Sequence, residues 1–213
     1  MQENAEEVSK MSKIRYAIED YFQQSSNVIS SLSSELESIE KIASAIHETS
    51  KIGGKVLIAG NGGSCADAEH FAGELLCTFK ARDRAPIGAV HLANNSSAIT
   101  AWTNDFEFNS YFTRQVEALG NKGDILFLIT TGGGNRDNGA SMNLVYAAEK
   151  ARELGLKIIT VAGKGGGILK DFSDISIIVK SDETANIQEG HIAIIHSICY
   201  CLDALDSINK GGK

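Results

Sequence analysis

Apolar residues recur at helical spacing through the first 50 residues, a stretch without glycine or proline. One run passes through Ile14, Ile18 and Tyr21, and a second extends over 32–46. Between them lies the polar stretch 23–27, whose serine and asparagine side chains can cap a helix or compete for its backbone hydrogen bonds. The pattern therefore predicts two helices that are separated at 23–27.

Beyond residue 50 the pattern changes to short apolar runs that alternate with helical segments. Five runs predict buried strands: KVLIAG (55–60), IGAVHL (87–92), DILFLIT (124–130), KIITVAG (157–163) and DISIIVK (174–180). Helices are expected over about 64–79 and 186–205. Strands that alternate with helices indicate an α/β fold with a doubly wound parallel sheet of five strands. We expect 1–50 to form an N-terminal helical region and 51–213 to form the domain that contains the sheet.

Composition and charge exclude several classes of function. The 213 residues, 43% of them hydrophobic, are enough for one domain with a sizeable core. Lys and Arg number 20 against 27 Asp and Glu, so the net charge of −7 argues against nucleic acid as a ligand. The longest apolar runs are far shorter than the roughly 20 residues of a membrane span, and the polar, acidic N-terminus does not resemble a signal peptide. We expect a cytoplasmic protein with no membrane partner.

Two glycine-rich turns follow predicted strands, at 60–64 and 130–135. The carboxyl ends of parallel strands meet at one sheet edge, where ligands of such folds bind. A glycine turn that enters a helix presents free backbone N–H groups, which favours an anion such as phosphate. The glycines could equally serve only to form tight turns, and neither a dinucleotide fingerprint nor a Walker A loop is present. The hydroxyl groups of Ser64, Thr130 and Thr131 favour a phosphorylated ligand.

Titratable side chains on two predicted helices form a second candidate cluster. His70 and Glu74 are four residues apart, so they lie on one helix face and could share a proton or a metal ion. Gln188 and His196 are eight residues apart, roughly on one face of the apolar last helix, where buried polar groups need partners. A lone histidine is more often structural than functional, but the nearby phosphate-binding pattern favours a site.

Four segments resemble the sugar isomerase (SIS) fold, and most closely the phosphoheptose isomerases. They are AGNGGSCADAEHFAGEL, TNDFEFN, TTGGG and IQEGHIAIIH, and the resemblance extends over about 28–206. It implies a flavodoxin-like sheet, a homotetramer assembled through the amphipathic N-terminal helices, and a sugar-phosphate substrate. The implied reaction interconverts sedoheptulose 7-phosphate and D-glycero-D-manno-heptose 7-phosphate, for the synthesis of bacterial surface heptose.

The resemblance also implies roles for individual residues. Glu74 would be the catalytic base and His196 the catalytic acid, while His70, Glu74, Gln188 and His196 could hold one zinc ion. Substrate contacts are expected from Asn61, Gly62, Gly63, Ser64, Glu74, Asn104, Asp105, Thr130, Thr131, Gly132, Gly133, Asn135 and Gln188.

The chain departs from the family pattern near the expected substrate. Gly132, Gly134 and Asn135 stand where the family has side chains that hold phosphate, so we expect backbone N–H groups to take more of that role. Ala185 replaces an aspartate of the family, and Thr78 replaces an arginine. These differences leave the choice of sugar open.

Two other functions are compatible with the same fold. A non-catalytic SIS protein would use it as an oligomeric scaffold, and a regulatory module would use it to sense a sugar phosphate. Scaffold proteins of this type lack the Glu and His pair, and we see no appended DNA-binding segment of the kind a regulator carries. The presence of Glu74 and His196 therefore favours an enzyme.

Overall fold

The five apolar runs form the strands of one parallel sheet in the computed structural model, which describes residues 2–211, except for the side chains of 2–9, 209 and 211. The strands are β1 (Val56–Gly60), β2 (Ala89–His91), β3 (Ile125–Thr130), β4 (Lys157–Ala162) and β5 (Ile175–Ile178). The helices are α1 (Gln2–Ser31), α2 (Leu36–Lys51), α3 (Gly63–Leu76), α4 (Ser96–Asp105), α5 (Phe108–Leu119), α6 (Met142–Leu154), α7 (Gly167–Phe172) and α8 (Thr184–Gly211). Residues 1, 212 and 213 of the two predicted regions lie outside the described residues.

The strand order is β2-β1-β3-β4-β5, with every neighbouring pair parallel. This confirms the predicted α/β class and its flavodoxin-like order. From β1 the chain adds β2 on one side of the sheet, and it then adds β3, β4 and β5 on the other side. The switch point of strand order therefore lies between β1 and β3, where Ile58 is paired with Phe127. Both glycine-rich turns therefore leave the sheet at neighbouring strand ends, which is where such folds bind ligands.

Each face of the sheet is covered by its own set of helices. Ile58 and Phe127 point into a core formed with α2, α3 and α8, whereas Leu57 and Leu126 point into a core formed with α5 and α6. Because β1 and β3 are buried on both faces, they are continuous apolar runs rather than alternating ones. Helices α3 and α8, which carry the predicted site residues His70, Glu74, Gln188 and His196, lie on the same side of the sheet.

The predicted break at 23–27 is wrong, because α1 continues through it. Its polar side chains bond within the helix: the Ser25 hydroxyl donates to the Tyr21 carbonyl at 3.0 Å, and Gln23 donates to Asn27 at 3.0 Å. The helices are instead joined by a 3-10 turn over Leu32–Glu35. Serine hydroxyls there donate to carbonyls three residues earlier. Serines interrupt the helix at this later position.

The two N-terminal helices differ in what covers their apolar faces. α2 buries Ile39, Ile42 and Ile46 in the core beside the sheet. α1 leaves a row of large apolar side chains exposed on one face, namely Met11, Ile14, Ile18 and Phe22, and Tyr16 is exposed on another face. Of the predicted pair, α1 therefore carries most of the exposed large apolar side chains.

Helix α8 is long and apolar enough, over Thr184–Ile208, to cross a membrane by length and composition alone. Its apolar side chains Ile187, Ile194, Ile195 and Ile198 are fully buried in the core. Packing within the protein therefore accounts for part of the apolar composition of α8, since 39% of the apolar window is buried.

Candidate active site

Three of the predicted site residues meet between α3 and α8. The Nε2 atoms of His70 and His196 are 3.1 Å apart, and Nε2 of His70 is 3.5 Å from Oε1 of Glu74. Two facing imidazole nitrogens can form a hydrogen bond only if one is protonated and the other presents its lone pair. His70 therefore links the proposed base on its own helix with the proposed acid on α8.

Phe79 holds the His196 ring from the other side. The two rings are stacked, with centroids 5.5 Å apart, and His70 meets His196 edge-on at 5.2 Å. Phe79 was not selected from the sequence, because it follows the predicted motif and resembles an ordinary apolar core residue. The side chain of His196 is thus enclosed between an aromatic face and the second histidine.

Another histidine on α8, His191, has a different environment. It is fully buried, and burial lowers its pKa to about 4. His191 is consequently neutral at physiological pH. His196 is only partly buried and reaches the groove that lies between α1, α3 and α8.

This groove is lined mainly by α1 and α8. Tyr21 and Ile29 come from α1, Asp67 comes from α3, and Gln188, Glu189, Ile192 and His196 come from α8. The Tyr21 hydroxyl donates a hydrogen bond to the Glu189 carboxylate, which joins the two helices at the rim. Tyr21 and Asp67 were not selected from the sequence, although Asp67 lies one turn before the His70 position on the same helix.

Asp67 is a buried carboxyl group without a complete set of partners. Its side chain is 8% exposed, and Oδ2 has no hydrogen-bond partner among the described residues. Burial raises the pKa of Asp67 to about 6, and the nearby His70 opposes the shift. The groove therefore contains an acid that titrates close to neutral pH.

The β1 turn is shaped by close approach of other groups. A Cβ atom on Gly60 would lie 2.4 Å from the Ser64 carbonyl oxygen, and one on Gly63 would lie 2.2 Å from Nε2 of Gln188. Gly62 adopts a φ of 56°, which favours glycine. The absence of side chains here lets the Gln188 amide pack against the turn, with Ser64 buried in the first turn of α3. The structure thus brings Gln188 to the predicted turn.

The side chain of Asn61, in the same turn, is hydrogen-bonded to another side-chain amide. Its side chain and that of Asn143, at the start of α6, exchange two hydrogen bonds of 2.9 Å each. Asn143 is buried and was not predicted from the sequence. The pair joins the turn that follows β1 to the first turn of α6.

The side chains of the glycine-rich turn after β3, at 130–135, largely stabilise that turn itself. The Thr130 hydroxyl accepts from the backbone N–H groups of Gly132 and Gly133, at 3.4 and 3.2 Å. The Asn135 side chain accepts from the N–H groups of residues 137 and 138. An anion at this turn would compete with Thr130 for those N–H groups, whereas Thr131 and Gly132 are partly open.

Gly133 is required by a neighbouring loop. A Cβ atom there would lie 1.8 Å from the carbonyl oxygen of Gly166, in the segment that precedes α7. The Gly133 carbonyl also accepts the Leu169 N–H at 2.9 Å. The loops after β3 and β4 are therefore interlocked through glycine, which is a structural reason for the unusual TTGGGN sequence.

Asn104 and Asp105 lie apart from this cluster, at the exposed end of α4. The Asn104 amide donates to Asp105 at 2.8 Å. Their helix follows β2, and they lie at the end of it that is further along the chain. Their contact with substrate stays a prediction.

The donors around His70 agree in kind and spacing with a zinc ion. Zn–N bonds of about 2.0–2.1 Å in a tetrahedron place adjacent ligand atoms roughly 3.3 Å apart. The separations around His70 Nε2, 3.1 Å to His196 and 3.5 Å to Glu74, bracket that value. Among the described residues, no three His, Cys, Asp or Glu side chains converge as a complete metal site, so the Gln188 amide and small side-chain movements would be needed.

Comparison with known proteins gives consistent matches. Residues 20–163 match the SIS domain family. A phosphoheptose isomerase from Helicobacter pylori (strain P12) is 45% identical over 176 residues, which cover 81% of this chain and 88% of that protein. The structure of a Francisella tularensis phosphoheptose isomerase has a TM-score of 0.81 at 38% identity, covering 88% of this chain and 97% of that one. The structure of a Neisseria gonorrhoeae phosphoheptose isomerase has a TM-score of 0.79 at 34% identity, covering 90% of this chain and 99% of that one.

The unusual state of Asp67 leads to a prediction about stability and pH. The folded carboxyl titrates near pH 6 and the ordinary one near 3.8, so the free energy of unfolding falls as pH rises between these values. Asp67→Asn should therefore raise the free energy of unfolding of the metal-free protein at pH 8, by about 1–3 kcal/mol, and change it much less at pH 4. Urea unfolding at both pH values measures the difference.

Asp83→Asn is the matched control, because Lys210 lowers the pKa of the exposed Asp83 carboxyl. That variant should gain no stability at pH 8. A loss of stability in Asp67→Asn at pH 8 would show that the carboxylate is stabilised in the folded protein.

Proposed function

The chain belongs to the SIS domain family and is a phosphoheptose isomerase, and we propose that it interconverts sedoheptulose 7-phosphate and D-glycero-D-manno-heptose 7-phosphate. The observation that carries this proposal is the convergence of Glu74 and His196 on His70 from two helices. A carboxylate and an imidazole that both contact one histidine are the acid–base pair that an aldose–ketose exchange needs.

The reaction moves hydrogen between C1 and C2 through a cis-enediol. Glu74 takes a proton from C1 of the ketose while His196 gives a proton to the C2 oxygen, which forms the enediol. Glu74 then returns a proton to C2, and His196 takes one from the C1 oxygen, which leaves the aldehyde. The ring contacts of His196 with Phe79 and His70 orient the imidazole for both transfers.

The phosphate is bound at the sheet edge in this proposal. Ser64 and the N-terminus of the 14-residue α3 lie beside Gln188, and Thr131 and Gly132 lie at the neighbouring turn. The positive end of the helix dipole favours an anion at this position. Binding the remote phosphate orients the sugar and takes no part in the proton transfer.

We also propose that His70, Glu74, Gln188 and His196 hold one zinc ion. Their nitrogen and oxygen donors suit zinc, and the spacing around His70 supports this set. When bound, zinc would act as a Lewis acid toward the two substrate oxygens.

The assembly we propose is a homotetramer that uses α1. The exposed apolar row on this helix, Met11, Ile14, Ile18 and Phe22, is 45–63% exposed in the single chain. An apolar row of this kind is more consistent with contact between copies than with exposure to water. We place the enzyme in the cytoplasm, where its product would supply bacterial surface heptose.

Substitution of the acid and base tests the proposed reaction. The parent protein should convert sedoheptulose 7-phosphate to an aldoheptose 7-phosphate, and Glu74→Gln and His196→Ala should each lower kcat by about 10²–10⁴. Product formation is followed by NMR or chromatography. Glu69→Gln on the same helix and His47→Ala on α2 are matched controls, which should keep near-parental kcat. A parent that converts no ketose phosphate, with zinc supplied, would refute the reaction.

Metal analysis tests the ligand set independently of activity. After incubation with zinc and dialysis, the parent should retain one zinc per chain, and His70→Ala should retain much less because one of the two nitrogen donors is lost. His47→Ala should bind as the parent does. Equal zinc content in His70→Ala and the parent removes His70 from the ligand set.

The assembly is tested by placing a charge in the exposed row. The parent should have the mass of four 22.8 kDa chains by light scattering, and Phe22→Glu should shift it to smaller species. Ile52→Glu, at a 75% exposed position outside α1, should leave the mass unchanged. A monomeric parent, or a Phe22→Glu tetramer, contradicts assembly through α1.

A further inference from the structure

A buried ion pair lies behind the proposed acid and base. Nε of Arg84, in the segment between α3 and β2, is 3.0 Å from Oδ1 of Asp203 on α8. Their side chains are only 3% and 10% exposed. Asp203 follows His196 by seven residues, so it lies two helical turns further along the same side of α8.

Arg84 closes the C-terminal end of α3. The last carbonyls of a helix have no partners within it and need other donors. Nη2 of Arg84 donates to the carbonyl of Glu74 at 2.6 Å and to that of Cys77 at 3.4 Å, and Nη1 donates to that of Leu75 at 3.4 Å. The guanidinium therefore binds the backbone of the proposed catalytic base itself. It also explains why α3 ends at Leu76, before the predicted position at about 79.

Asp203 fixes the segment that supports the proposed acid. Its Oδ2 accepts the backbone N–H groups of Lys80 and Ala81, each at 2.9 Å. These residues directly follow Phe79, whose ring stacks on His196. One ion pair thus holds the backbone of Glu74, the ring that supports His196, and the helix that carries His196.

We propose that Arg84 and Asp203 are positioning residues that set the distance between Glu74 and His196; this inference rests on the proposed function. A buried ion pair is weak evidence for a stabilising role, because well-packed apolar residues often serve stability equally well. An apolar pair could not form the directional hydrogen bonds that Arg84 and Asp203 make to three separate segments of the chain. Small displacements of reacting groups lower catalytic rates steeply, so a loosened pair should lower kcat more than substrate binding.

The chain contains a matched pair away from the site. Nζ of Lys55 is 2.5 Å from Oδ2 of Asp124, which is also buried and accepts the N–H groups of Lys55 and Asn121 at 2.9 Å. This pair lies before β1 and β3, at the opposite edge of the sheet from the site. It shares the chemistry of Arg84–Asp203 without its connection to Glu74 and His196.

The test compares Asp203→Asn with Asp124→Asn, assayed well below the melting temperature of either variant. Both should lower Tm. Asp203→Asn should lower kcat by about ten- to a hundredfold with KM changed less than about threefold, whereas Asp124→Asn should keep parental kcat. Arg84→Lys is a second variant, which keeps the charge and loses the planar fork. It should lower kcat in the same way even if Asp203→Asn does not fold.

The NMR signals of the His196 ring provide a measurement that does not require activity. They should shift in Asp203→Asn and Arg84→Lys and remain unchanged in Asp124→Asn. Parental kcat in folded Asp203→Asn or Arg84→Lys, or unchanged His196 signals in both, would overturn the inference. An inactive parent would count against the proposed function instead, and the ring signals would still decide the role of the ion pair.

Discussion

The side-by-side packing of α3 and α8 is the constraint on which the site depends. The contacts between the two helices follow the same order along each helix. Gly63 leaves room for Gln188, His70 contacts His196, and Arg84 connects the end of α3 to Asp203. The helices therefore run in the same direction, with a polar contact at each end and the acid–base cluster between. A shift of either helix would separate Glu74 from His196. The site is a property of this helix pair more than of any loop.

Much of the fold could be predicted from the sequence because the physical signals were local. Strands that are buried on both faces are continuous apolar runs, and all five were identified. The helix break was misplaced because serine and asparagine can either cap a helix or bond back within it, and only tertiary context decides between these outcomes. The spacing of His70 and Glu74 correctly predicted that both lie on one helix face.

The features that were missed depend on contacts between distant parts of the chain. Arg84 and Asp203 are 119 residues apart, and a charged loop residue is usually solvated. Asn61, in the turn after β1, is paired with Asn143 on α6, which no local pattern indicates. Thr130 was predicted as a phosphate ligand, but its hydroxyl accepts hydrogen bonds from its own turn. The family resemblance supplied the partnership between α3 and α8, which spacing alone did not.

The central claim, that Glu74 moves the carbon-bound proton, is tested most directly by isomerisation in D₂O. The parent should introduce solvent deuterium at the carbon that receives the proton, detected by NMR of the aldose product, because an enediol and a carboxylate base exchange protons with water. Glu74→Gln should leave the carbon-bound hydrogens of sedoheptulose 7-phosphate unexchanged over the same period. Exchange at the parental rate in folded Glu74→Gln would contradict the account.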